Sequence, residues 1–60
     1  MSEEYKALIK TAALRAGHTM PEHQGEIDQA YGIALKNIDT GECAAAELES
    51  FKGWIDNLNE

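Results

Sequence analysis

The segment "IDQAYGIALKNI", residues 27–38, gives the clearest indication of the fold. Its apolar side chains recur every three or four residues and form a continuous stripe along one face of an α-helix. The stripe consists of Ile27, Ala30, Tyr31, Ala34, Leu35 and Ile38. A helix with one apolar face must bury that face against another element. The rest of the chain therefore has to supply packing partners.

The segments on either side carry the same helical period and no alternating β-branched runs. They predict a first helix over about residues 3–16 and a third over about 41–58, and the central helix is expected over about 22–38. The outer stripes are Tyr5, Leu8, Ile9, Ala12 and Ala16, and Ala44, Leu48, Phe51, Ile55 and Leu58. Short connections make such helices antiparallel neighbours. We expect an all-α fold, a small three-helix bundle forming a single helical domain over 1–60, with a dimer as an open option.

Three features are expected to mark helix ends. Gly17 follows the first stripe and is a natural residue to end its helix. Asp39 or Thr40 is expected to cap the third helix. Pro21 can take the first position of the second helix, where no backbone N–H is needed; a start as late as Glu26 is the alternative.

Length and charge limit the classes of function. A chain of 60 residues buries only about 60% of its unfolded surface, so association often supplies the missing stability. Eleven acidic residues against five basic ones give a net charge of −6, and nine of the acids follow residue 20. Such a chain repels phosphate backbones and anionic membranes. We therefore expect no direct nucleic-acid binding and no membrane binding.

One stretch resembles the helix-turn-helix of DNA-binding regulators. In "KTAALRAGHTMPEHQGEI", residues 10–27, Ala13 stands four residues before Gly17, as in that motif. The motif then needs apolar residues six and nine positions after the glycine, where this chain has His23 and Glu26. The second helix, "PEHQGEIDQ", would bring three acids and no Lys or Arg to the DNA. A helix-turn-helix regulator is therefore a disfavoured alternative.

Residues that carry chemistry are few. The lone Cys43 excludes an internal disulfide and a cysteine-rich zinc site. His18 and His23 lack the i, i+4 spacing that aims two imidazoles from one helix face. No glycine-rich phosphate loop and no nucleophile with a neighbouring base is apparent. We expect no enzymatic activity, no cofactor and no metal site.

The informative residues are apolar or small side chains off the stripes. At 100° per residue, Leu14 falls opposite the first stripe and Ile33 falls about 120° from the second. Trp54 falls at the edge of the third, and tryptophan is enriched at binding hot spots. Gly25 and Gly32 lie on one line of the second helix and would let another backbone approach closely. The ordinary alternatives are scattered exposed apolar residues, core-edge packing of the indole, and glycines that the helix tolerates.

An acidic ridge is predicted on the third helix, opposite its apolar stripe. Its members are Glu42, Glu49, Asp56 and Glu60. The ridge is either a solvated face that keeps the chain soluble or a strip that docks on a basic surface. The second interpretation gives an alternative function, an acidic decoy or inhibitor of a nucleic-acid-handling protein.

Apolar surface beyond the needs of one small core points to contact rather than chemistry. We expect a small acidic, non-enzymatic protein–protein interaction module that self-associates, binds and modulates a larger protein, or does both. A homo-oligomer is therefore expected. The chain begins at Met1 without a signal peptide, so we expect a complete cytoplasmic gene product. In size and economy it resembles small accessory proteins of bacteriophages.

Overall fold

A computed structural model describes residues 2–59 of the chain. Three helices form the fold: α1 (Ser2–Thr19), α2 (Gln24–Asp39) and α3 (Ala44–Leu58), with a short 3₁₀ turn (Pro21–His23) between the first two. Each helix packs against both of the others, and residues 2–59 contain no strand. The predicted all-α three-helix bundle is confirmed.

The core is a narrow column along the axis between the three helices. Ile9 and Ile27 are completely shielded from solvent. The nine buried apolar residues are Ile9, Ala13, Ala16, Met20, Ile27, Ala34, Ile38, Leu48 and Phe51. Three of the nine are alanines, and small side chains at helix contacts let the helix axes come close together. Few large side chains are buried, so each contributes a large share of the stability.

The first helix is longer than predicted, because it continues through Gly17 for two more residues. The prediction that Gly17 ends the helix was wrong. The extra turn brings Met20 into the core, where it is 5% exposed and its backbone N–H donates to the Ala16 carbonyl over 2.7 Å. Burial of that side chain offsets the cost of about 1 kcal/mol for a glycine inside a helix. Pro21 sets the end, since the residue before a proline avoids helical geometry.

The first helix is also rotated relative to its predicted stripe. Leu8, which the stripe placed in the core, is 52% exposed, whereas Ala13 is buried. At 100° per residue, the buried line of α1 is turned by about 50° from the predicted one. The placement of Leu8 in the core was wrong, because the bundle uses the narrow isoleucine–alanine face of α1 and leaves leucines on both flanks.

Gly41 ends α2. Its φ of 106° lies in the left-handed region, which glycine adopts without strain. The Gly41 N–H donates to the Ile38 carbonyl over 3.1 Å, and the Glu42 N–H donates to the Asn37 carbonyl over 3.0 Å. These two bonds form a Schellman motif, which satisfies carbonyls at the C-terminus of the helix.

The boundaries of α2 and α3 therefore differ from the predicted ones. Pro21 begins the 3₁₀ turn and not α2, so the option that placed it at the first position of the second helix was wrong. The second helix begins at Gln24, between the two predicted limits, and extends to Asp39. The third helix begins at Ala44, not near residue 41, so neither Asp39 nor Thr40 caps it. Asp39 instead accepts a hydrogen bond of 2.7 Å from Lys6 Nζ, which ties α1 to the last residue of α2. This bond, reinforced by the charge of Asp39, raises the pKa of Lys6 above its usual 10.5.

Candidate interaction surface

Ile33 of α2 and Trp54 of α3 line the same groove between their helices. Ile33 is 55% exposed and Trp54 is half-buried. The indole stacks on the buried ring of Phe51, with centroids 6.2 Å apart and planes 18° from parallel, and this contact holds it at the margin of the core. The lining also includes Glu26 and Glu47 and no basic residue. We call this groove, defined by Ile33, Trp54, Glu26 and Glu47, the acidic groove.

Both carboxylates of the acidic groove have partners within the chain. His23 Nδ1 lies 2.8 Å from Glu26 Oε1, and Asn37 Nδ2 donates to Glu47 Oε1 over 3.2 Å. The hydrogen bond to Glu26 raises the pKa of His23 above its usual 6.5; the charges of Glu26 and Glu22 add to this effect, and partial burial opposes it. Each carboxylate has a second oxygen that can accept a bond from another chain. The partners thus hold the charges in place without neutralising both of them.

Leu14 lies in a different part of the surface. Its side chain is 59% exposed and lines a shallow groove between α1 and α2, together with Gly17 and Gln24. The structure thus brings Ile33 and Trp54 together in one groove and places Leu14 in another. The candidate contact residues do not form one continuous surface.

Gly25 and Gly32 are both exposed on α2. A Cβ atom added at either position would meet no atom within 4 Å. Packing inside the chain therefore does not require glycine at either position. Close approach of a second backbone to these glycines remains a prediction.

A groove between α1 and α3 carries the opposite charge. Leu8, Arg15 and Lys52 contribute to its lining, and we call this set the basic face. The other lining residues are Thr11, Ala12 and Leu48. This surface was not predicted from the sequence, because Leu8 was assigned to the core and because the two cations of the basic face belong to helices that are far apart in the chain. The exposure of Leu8 becomes clear only when the rotation of α1 within the bundle is known.

The predicted acidic ridge is incomplete. Glu42 precedes α3, so the helical spacing that was to align it with Glu49 and Asp56 does not apply, and that part of the prediction was wrong. Glu49 and Asp56 are exposed, and Glu49 Oε2 lies 3.8 Å from Lys52 Nζ. Glu60 lies outside the described residues. The structure therefore adds no support for a continuous carboxylate strip.

Residues 2–59 offer little support for a metal site, a reactive cysteine site or a membrane-spanning helix. No group of three or more His, Cys, Asp and Glu side chains there could hold a metal ion. Cys43 is exposed at the N-cap position of α3, and its side chain makes no capping hydrogen bond. None of the helices in this range combines the length and the apolar character needed to cross a bilayer.

Comparison with known proteins returns no relative. The chain matches no family model, no curated protein and no solved structure. A functional proposal therefore rests on the charges, exposures and contacts of its own residues.

Proposed function

We propose that this chain is a small acidic, non-enzymatic protein–protein interaction module that self-associates or binds and modulates a larger protein. Its contact surface is the acidic groove. The observation that carries the proposal is the convergence of Ile33 and Trp54, from two different helices, on one groove that is open to solvent.

The apolar side chains of the groove supply the driving force for contact. Ile33 keeps more than half of its surface in water, although the core of this small fold is built partly from alanine. Covering exposed apolar surface is favourable by about 25 cal/mol per Å². A half-buried tryptophan beside it adds a large, rigid side chain of the type enriched at hot spots. The groove therefore offers an anchor to another chain.

The acidic side chains give the groove selectivity. Glu26 and Glu47 lie within the apolar lining and would favour a partner whose apolar side chain is accompanied by Lys or Arg. Unlike charges across an interface raise the association rate and exclude wrong partners. The modulating effect of the module would then come from covering a surface of the partner.

A matched pair of variants tests the proposal. Ile33→Gln and Leu14→Gln each replace an aliphatic side chain that is more than half exposed, and both leave the net charge unchanged. Light scattering over a concentration series measures self-association, and capture by the immobilised chain from the native host measures binding to larger proteins. We expect Ile33→Gln to lose association and Leu14→Gln to retain it. Trp54, the single tryptophan, reports contact through a blue shift of its emission.

Two outcomes contradict the proposal. One is identical association of the wild type and Ile33→Gln in both assays. The other is loss of association in Leu14→Gln alone, which would move the contact surface to the groove between α1 and α2. Far-UV circular dichroism of all three proteins establishes that any loss comes from the surface and not from unfolding.

A further inference from the structure

Two surfaces of opposite charge flank α3. The basic face (Leu8, Arg15, Lys52) lies between α1 and α3, and the acidic groove lies between α2 and α3. Each presents one large aliphatic side chain that is more than half exposed, Leu8 at 52% and Ile33 at 55%. Each also carries two side chains of like charge, and one side chain of each pair has a partner of opposite charge within the chain: Glu49 for Lys52, and His23, when protonated, for Glu26. The fold thus displays two apolar surfaces whose charges are complementary to each other.

The acidic side chains beside the basic face leave Arg15 and Lys52 largely free to interact with carboxylates of another chain. Lys52 Nζ is 3.8 Å from Glu49 Oε2, and an exposed pair at such a separation is weak. Asp56 borders the adjoining part of the same α1–α3 groove. No salt bridge among the described residues involves Arg15. Its guanidinium can therefore take a carboxylate of another chain by two parallel hydrogen bonds.

Charge distinguishes the ways in which two copies could pair. Each copy carries −6, so copies repel one another unless the local contact is attractive. Pairing groove to groove would bring Glu26 and Glu47 of both copies together, and pairing face to face would do the same for Arg15 and Lys52. Pairing face to groove brings unlike charges together and covers the exposed leucine and isoleucine in one step.

We propose that copies of this chain associate head to tail, with the basic face of one copy seated in the acidic groove of the next. The inference rests on the proposed function and specifies the partner as a second copy. Such a contact is heterologous, so assembly continues beyond the dimer into a ring or a filament. A standard interface takes about 800 Å² from each partner, roughly a fifth of the 4124 Å² accessible surface of the chain. One copy can therefore engage both neighbours.

Two double variants test the head-to-tail arrangement. Leu8→Gln with Arg15→Gln removes the exposed leucine and one of the two cations of the basic face. Glu26→Gln with Ile33→Gln removes the exposed isoleucine and one of the two carboxylates of the acidic groove. All four side chains are exposed and glutamine is a good helix former, so the fold should persist, as circular dichroism checks. At a concentration where at least half of the wild type is associated, each variant alone is expected to sediment as a monomer. Their equimolar mixture is expected to form a 1:1 dimer and nothing larger, since one intact face and one intact groove remain.

The outcomes separate this inference from the proposed function. A mixture that stays monomeric, or a basic-face variant that associates like the wild type, overturns the head-to-tail arrangement; the second result indicates groove-to-groove pairing. In both cases the proposed function stands if the wild type associates and Ile33→Gln does not. A wild type that is monomeric up to its solubility limit also overturns the inference, and the proposed function is then decided by capture of a larger protein. Leu14→Gln serves as the control that should associate normally.

Discussion

Gly41 donates its backbone N–H to the carbonyl oxygen of Ile38 over 3.1 Å while holding a φ of 106°. An L-amino acid other than glycine pays about 1–2 kcal/mol to adopt the left-handed region. We therefore expect Gly41→Ala to lower the free energy of unfolding by about 1–2 kcal/mol, measured by urea denaturation followed by far-UV circular dichroism. Gly41→Asn is the control, because asparagine tolerates this conformation better and should lose less. Equal stability of the alanine variant and the wild type would contradict the assigned turn.

Gly32→Ala is expected to change the free energy of unfolding in the opposite direction to Gly41→Ala. Gly32 lies inside α2, and an added Cβ would meet no atom within 4 Å. Alanine should therefore raise the free energy of unfolding by about 1 kcal/mol through its helix propensity. Thermal or urea unfolding measures the change, and a loss of stability would show that the space above α2 is not open.

The same variant tests whether another backbone approaches Gly32. If it does, the alanine methyl group weakens association measured by light scattering, even though the monomer is more stable. Greater stability with unchanged association would remove the close-approach role of this glycine.

Ile27 and Ile33 lie on the same helix and should respond very differently to the same substitution. Ile27 is 0% exposed, whereas Ile33 is 55% exposed. Ile→Val inside a core costs about 0.5–1.5 kcal/mol, because a methyl group is lost and a small cavity is left. At an exposed position the change is within about 0.5 kcal/mol. Urea unfolding of Ile27→Val and Ile33→Val makes the comparison, and equal losses would place both side chains in the core.

The contact between His23 and Glu26 predicts a pH dependence of stability. Because the hydrogen bond from the protonated ring raises the pKa of folded His23 above 6.5, this contact stabilises the fold fully below 6.5. The stabilisation is lost as the pH rises through the pKa of the folded state. The melting temperature of the wild type relative to that of His23→Gln should therefore fall as the pH rises from below 6.5 through the pKa of folded His23.

Glu26→Gln provides the second comparison for this contact. Removing the carboxylate removes the largest cause of the raised pKa of His23, so the melting temperature of this variant should change less with pH over the same range. A constant difference between the melting temperatures of the wild type and His23→Gln across the range would contradict this prediction. It would show that protonation of His23 does not stabilise the fold.

The fold class was predictable because helical periodicity is a local property. Residues 27–38 repeat their apolar side chains at the period of an α-helix, and that stretch forms the middle of α2. The residues that end the helices were less predictable. Gly17 and Gly41 are both glycines after an apolar stripe, yet only Gly41 takes a left-handed φ. The difference is that helix continuation past Gly17 buries Met20, and the sequence pattern alone does not weigh that burial.

The candidate site was predictable in its parts and not in its arrangement. Ile33 and Trp54 are off the centres of their stripes on a helical wheel, and both lie at the margin of the core or outside it. Whether two such side chains from different helices meet depends on the packing of α2 against α3. The same applies to Leu8, which the predicted apolar stripe of α1 placed in the core and the packed bundle leaves exposed.

The class of fold, the number of helices and the acidic balance of the chain could all be predicted, because they follow from local spacing and composition. Three features required the folded structure: which face of α1 turns inward, that Ile33 and Trp54 share a groove, and that Leu8 lies beside Arg15 and Lys52. The physical reason is that helix rotation is set by close packing among three helices together. An apolar stripe about 100° wide allows several rotations, and only the shapes of the facing side chains select one.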